Sequence, residues 1–167
     1  MSFESRKQRM SDIAARCGGE VPYPLLVVRR IEPDLFRNLQ LAVAAYISKS
    51  LFLTEPALDD DALMEQITLH HGRFKNCTPN GLCVPKRELT LEYNAVVRAH
   101  TAILQRLQIA GLIKRVNPAN MRVKIGQALT GRPERAFASE WMHCDAWRGE
   151  FGDTLNLIIP VLGDTEH

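Results

Sequence analysis

The sequence of 167 residues lacks the features that mark several common protein classes. No stretch approaches the roughly 18 apolar residues that a membrane span needs, and the opening MSFESRKQRM lacks the apolar segment of a secretory signal. Twenty-one Lys and Arg stand against nineteen Asp and Glu, so little positive charge is left over for a phosphate backbone. We therefore expect a cytoplasmic protein that binds neither membranes nor nucleic acids.

Several nucleotide-binding and catalytic motifs are also missing. The chain contains no Gly-x-Gly-x-x-Gly pattern, no P-loop and no Gly-x-Ser-x-Gly elbow, so its sequence gives no support for dinucleotide binding, nucleoside triphosphate binding or an α/β-hydrolase nucleophile. Four cysteines without an export signal indicate reduced thiols rather than a disulfide framework. In contrast, 46% of the residues are apolar, which is enough to bury the core of a single domain.

Apolar residues at spacings of three and four predict helices in the first two thirds of the chain. The three predicted helices are one of about 15 residues beginning near Pro33, one from Asp59 to His71, and one from Thr90 to Ile109. Gly111 is placed to cap the third helix. Between the second and third helices, residues 72–87 contain Gly, Asn and two prolines, which predicts a surface loop.

Strand patterns become frequent towards the end of the chain. The predicted strands are Tyr23–Arg30, Met121–Ile125 and Thr154–Leu162. The order, helices first and sheet last, indicates the α+β class, with helices packed on an antiparallel sheet. We interpret residues 1–167 as a single domain, in which residues 1–118 are mainly helical and residues 119–167 begin the sheet.

The segment WMHCDAWRGE contains the main candidate site. If this segment is extended, His143 and Asp145 project from one face and Cys144 from the other. One neutral nitrogen and one anionic oxygen suit Fe(II), for which a third protein ligand completes a facial triad and leaves positions for co-substrate and dioxygen. The tripeptide alone is a weak signal, and the alternative is a surface histidine near an unrelated Asp.

The residues around this tripeptide form a longer pattern over residues 132–164. Its members are Arg132, Pro133, Ser139, Glu140, His143, Asp145, Trp147, Gly149, Glu150, Pro160, Gly163 and Asp164. This stretch resembles the iron-ligand region of a bacterial, StrG-like branch of the Fe(II)/2-oxoglutarate-dependent oxygenases found in carbohydrate and aminoglycoside biosynthesis clusters. The resemblance implies a double-stranded β-helix, or jelly roll, with His143 and Asp145 as the first two iron ligands. It also implies 2-oxoglutarate as co-substrate and a sugar-like or cyclitol-like small molecule as substrate.

The resemblance also implies a third iron ligand, a distal His, and a basic residue for 2-oxoglutarate, both from later strands. Only 22 residues follow Asp145, enough for about two strands, and His167 is the only histidine among them. We therefore expect a C-terminally incomplete version of a longer enzyme, with His167 kept as a candidate third ligand. The alternative is a truncated, non-catalytic α+β domain that binds a partner.

Other histidines and cysteines carry less specific patterns. His70, His71, Cys77 and Cys83 are spaced more loosely than the ligands of a structural zinc site. The alternative for this group is a histidine that interacts with a helix C-terminus, followed by buried thiols. His100 falls beside the apolar stripe of the third helix, which predicts a core or boundary histidine rather than a ligand.

Overall fold

A computed structural model describes residues 2–16, 28–51, 59–70, 82–108, 111, 119–123 and 156–163. The elements are helices α1 (Phe3–Arg16), α2 (Pro33–Ser50), α3 (Asp60–His70) and α4 (Thr90–Arg106), a 3-10 helix (Arg87–Leu89), and strands β1 (Leu82–Cys83) and β2 (Met121–Arg122). Helices together with a small antiparallel sheet confirm the α+β class. Within these ranges, no helix combines the length and apolar character needed to cross a membrane.

Helix α1 is an element that the sequence analysis did not predict. Ser2 caps it, because the Ser5 N–H donates a hydrogen bond to Ser2 Oγ at 3.2 Å. Glu4 lies in the first turn, where the helix dipole favours a negative charge. Gln8 Nε2 donates to Asp12 Oδ1, four residues on, at 2.9 Å. These contacts are local, so the first turns of α1 are stabilised without a long apolar stripe.

Helix α2 confirms the first predicted helix and extends it to 18 residues. Pro33 occupies the first helical position, where its missing N–H costs no hydrogen bond. The carbonyl of Glu32 accepts the first helical hydrogen bond, from the Phe36 N–H at 2.9 Å. The buried apolar side chains of the helix are Leu39, Val43, Ala44, Tyr46 and Ile47. Their spacing of three and four residues is the pattern that predicted the helix.

Helix α3 begins, as predicted, at an acidic cluster. Asp59 caps it: its Oδ1 accepts a hydrogen bond from the Asp61 N–H, and its carbonyl accepts one from the Leu63 N–H, both at 3.0 Å. Asp60 and Asp61 lie in the first turn, near the positive end of the helix dipole. Leu63 and Ile67, four residues apart, are the buried side chains of this helix.

Helix α4 confirms the third predicted helix but ends earlier than predicted. Gln108 has a φ of +57°, in the left-handed region, and its N–H donates to the Gln105 carbonyl at 3.1 Å. A left-handed residue with this hydrogen bond is typical of a helix C-terminus. The predicted cap, Gly111, is therefore wrong: the chain leaves the helix before that glycine is reached, and Gly111 has no positive φ.

The sheet of the described ranges consists of β1 and β2, which pair antiparallel with Leu82 opposite Arg122 and Cys83 opposite Met121. Strand β2 lies within the predicted strand Met121–Ile125. Strand β1 lies within residues 72–87, so the loop prediction is wrong at these two positions. Each of the two residues pairs with a residue 38 or 40 positions later in the chain, so the pairing does not follow from a local pattern.

Two other predicted strands differ from the structure where it describes them. Residues 28–30 and 156–162 have no strand conformation, although both carry the apolar residues that suggested it. Apolar content indicates burial or packing, whereas a strand also needs a hydrogen-bonded neighbour. Residues 23–27 and 154–155 lie outside the described residues. The jelly-roll interpretation stays a prediction.

The chain divides into two compact units. The first comprises Met1–Val43 and Leu91–Ala119, and the second comprises Ala44–Thr90 and Asn120–His167. Buried side chains of the first unit lie on α2 and α4, and an exposed ion pair joins Arg106 to Glu32. Buried side chains of the second unit include Leu63, Ile67, Cys83 and Leu89. The prediction that residues 1–167 fold as one domain stays a prediction.

Candidate functional site

The predicted iron ligands, His143 and Asp145, lie outside the described residues, as do Cys144 and His167. The described residues nearest to them in the sequence end 20 positions before His143 and begin 11 positions after Asp145. Residues 120–123 precede the His-x-Asp tripeptide and residues 156–163 follow it, and both belong to the second unit.

The segment before the tripeptide contains strand β2. Met121 is half-buried and Arg122 is exposed, so successive side chains differ in exposure as expected for a strand with one covered face. On the paired strand, Cys83 is only 2% exposed, and it lies opposite Met121.

The segment after the tripeptide ends in a backbone conformation that favours glycine. Gly163 has a φ of +86°, in the left-handed region, where a side chain adds strain. A Cβ built on Gly163 would lie 3.1 Å from Met64 Cε in α3. Gly163 is one of the residues of the pattern over residues 132–164, and a positive φ is typical of a glycine in a turn.

The same segment exposes apolar side chains. Ile158 is 84% exposed and Leu157 is 40% exposed, while Ile159, Val161 and Leu162 are half-buried. Pro160, also one of the motif residues, is exposed and has no N–H to donate to a neighbouring strand. The described part of this segment therefore runs along the surface of the second unit with two large apolar side chains in water.

The loosely spaced histidines and cysteines are only partly described. His71 and Cys77 lie outside the described residues. His70 is the last residue of α3 and is half-buried, and Cys83 has a buried, reduced thiol. This agrees with the alternative of a histidine at a helix C-terminus and a buried thiol. In the ranges that the structure describes, no three His, Cys, Asp or Glu side chains are grouped so that they could hold a metal ion.

His100 is a half-buried residue of α4, as the sequence predicted for a boundary histidine. Burial lowers the pKa of the His100 imidazole because the charged form loses contact with water. On the same helix, the Tyr93 hydroxyl donates a hydrogen bond to the Ala119 carbonyl at 3.2 Å, and burial raises the pKa of this hydroxyl. Neither residue belongs to the predicted iron site.

Ser48 is a buried polar residue that no sequence pattern singled out. It is 1% exposed, and its hydroxyl has no hydrogen-bond partner among the described residues. Ser50, two residues on, is also buried, but its hydroxyl donates to the Tyr46 carbonyl at 2.8 Å. A serine on the buried face of a helix gives no local signal of whether its hydroxyl finds a partner.

Comparisons with known proteins add no further assignment. No protein-family model, no curated protein and no solved structure matches the chain. The functional interpretation therefore depends on the sequence motif around His143 and Asp145 and on the chemistry of these two side chains.

Proposed function

We propose that the protein is an Fe(II)/2-oxoglutarate-dependent oxygenase that acts on a sugar-like or cyclitol-like small molecule. The observation that carries this proposal is the His143-x-Asp145 tripeptide, set within the longer pattern of motif residues over positions 132–164. The fold class alone would not support it, because an α+β arrangement hosts many unrelated functions.

The chemistry of the two side chains fits the proposed ion. A neutral imidazole nitrogen and a carboxylate oxygen are two of the three protein donors in a 2-His-1-carboxylate iron site. Iron in such a site supplies, together with 2-oxoglutarate and dioxygen, the oxidation of a substrate C–H bond. The role of the protein in this reaction is to hold the ion through His143 and Asp145 and to orient the substrate. The third donor is left unassigned, with His167 as the one histidine after Asp145 in the sequence.

One described feature agrees with the motif pattern. Gly163, which belongs to that pattern, has a φ of +86°, a conformation that favours glycine. This feature concerns the backbone 18 positions after Asp145, and the metal itself is tested only by experiment.

The proposal is tested by anaerobic titration of the purified 167-residue chain with Fe(II), with and without 2-oxoglutarate. We expect His143→Ala and Asp145→Ala each to weaken iron binding more than about tenfold, because the loss of a residue that merely supports a ligand already costs about 10–100-fold.

Cys144→Ser is the matched control, because this side chain lies between the two donors and is expected on the opposite face of an extended segment. It should bind iron as the unsubstituted chain does. His70→Ala is a second control for the loss of a histidine outside the tripeptide. Circular dichroism of each variant should show the same helical signal, so that a loss of iron binding is not a loss of fold.

Equal iron affinity of the unsubstituted chain and His143→Ala would overturn the proposal. Loss of binding in Cys144→Ser would also contradict it, because it would place the thiol rather than the imidazole and carboxylate beside the ion. Formation of succinate from 2-oxoglutarate in the presence of sugars or cyclitols, absent in His143→Ala, would support the oxygenase reaction itself.

A further inference from the structure

We draw no further inference here: the strongest candidate, the apolar surface patch formed by Leu157 and Ile158 on the segment 156–163 of the second unit, carries nothing because no feature of the described residues shows what covers it.

Discussion

Gly163 lies directly against Met64, so that a Cβ added to the glycine would be 3.1 Å from the Met64 methyl carbon. This contact places the end of the motif pattern beside α3 within the second unit. The glycine also has a φ of +86°, which an L-residue with a side chain adopts only at a cost. Because the Met64 methyl is the end of a flexible side chain and can move, the backbone conformation is the larger obstacle to substitution.

Gly163→Ala should lower the free energy of unfolding by about 1–2 kcal/mol, the cost of holding a non-glycine residue in the left-handed region. Urea denaturation followed by circular dichroism measures this change. Gly111→Ala is the matched control: Gly111 has no positive φ, and a Cβ there would meet nothing within 4 Å. The control should be neutral or stabilising by up to about 1 kcal/mol. Equal losses in both variants would contradict the prediction.

Ser48→Ala should raise the free energy of unfolding by about 1 kcal/mol. The substitution removes a buried hydroxyl that has no hydrogen-bond partner among the described residues, and alanine is the better helix former. Ser50→Ala, on the same helix, should instead lower it by about 0.5–1.5 kcal/mol, because that hydroxyl donates to the Tyr46 carbonyl. Thermal denaturation of the two variants side by side measures the difference, and a loss of stability in Ser48→Ala would refute the prediction.

Gln108→Gly should stabilise the C-terminus of α4. Gln108 holds a φ of +57°, and glycine adopts this conformation without the steric cost that a Cβ imposes. We expect a gain of about 1 kcal/mol in the free energy of unfolding. Gln105→Gly, inside the same helix and also exposed, should lose about 1 kcal/mol. Opposite signs in urea denaturation are the expected result; two losses would mean that Gln108 is not the residue that ends the helix.

The elements that the sequence predicted are those whose signals are local. Pro33 at the first position of α2 and the Asp59 cap of α3 act within one helical turn, so the sequence alone located both helix starts. The end of α4 was missed because its left-handed residue is Gln108, whereas the sequence offered Gly111 as the more favourable residue for that conformation.

Long-range pairing explains what the sequence could not predict. Strand β1 has only two residues, and its conformation follows from the pairing of Leu82 with Arg122, which no periodicity near Leu82 encodes. The same limit applies to the candidate site. The sequence motif predicts His143 and Asp145 as metal-ion donors. The identity of a third donor depends on which later residues the fold brings beside them, and the motif does not contain that information.

The half-buried imidazole of His100 should make stability depend on pH. Burial disfavours the charged ring, so the pKa of His100 in the folded protein lies below the ordinary value of 6.5. In the interval between these two pKa values the unfolded chain binds more protons than the folded chain, so the free energy of unfolding rises with pH there. The full stability is therefore present above about pH 6.5 and is lost as the pH falls towards the lowered pKa.

His100→Gln removes this titration while keeping a polar side chain of similar length. The unsubstituted chain should therefore lose more stability than His100→Gln when the pH is lowered from about 7.5 to about 5. Only the unsubstituted chain has an imidazole that takes up a proton more readily in the unfolded state than in its half-buried folded position. Urea denaturation at a series of pH values gives the difference between the two proteins, and an NMR titration of the His100 ring gives its pKa directly. A difference that stays constant with pH, together with a ring pKa at or above the ordinary value, would show that burial does not govern this histidine.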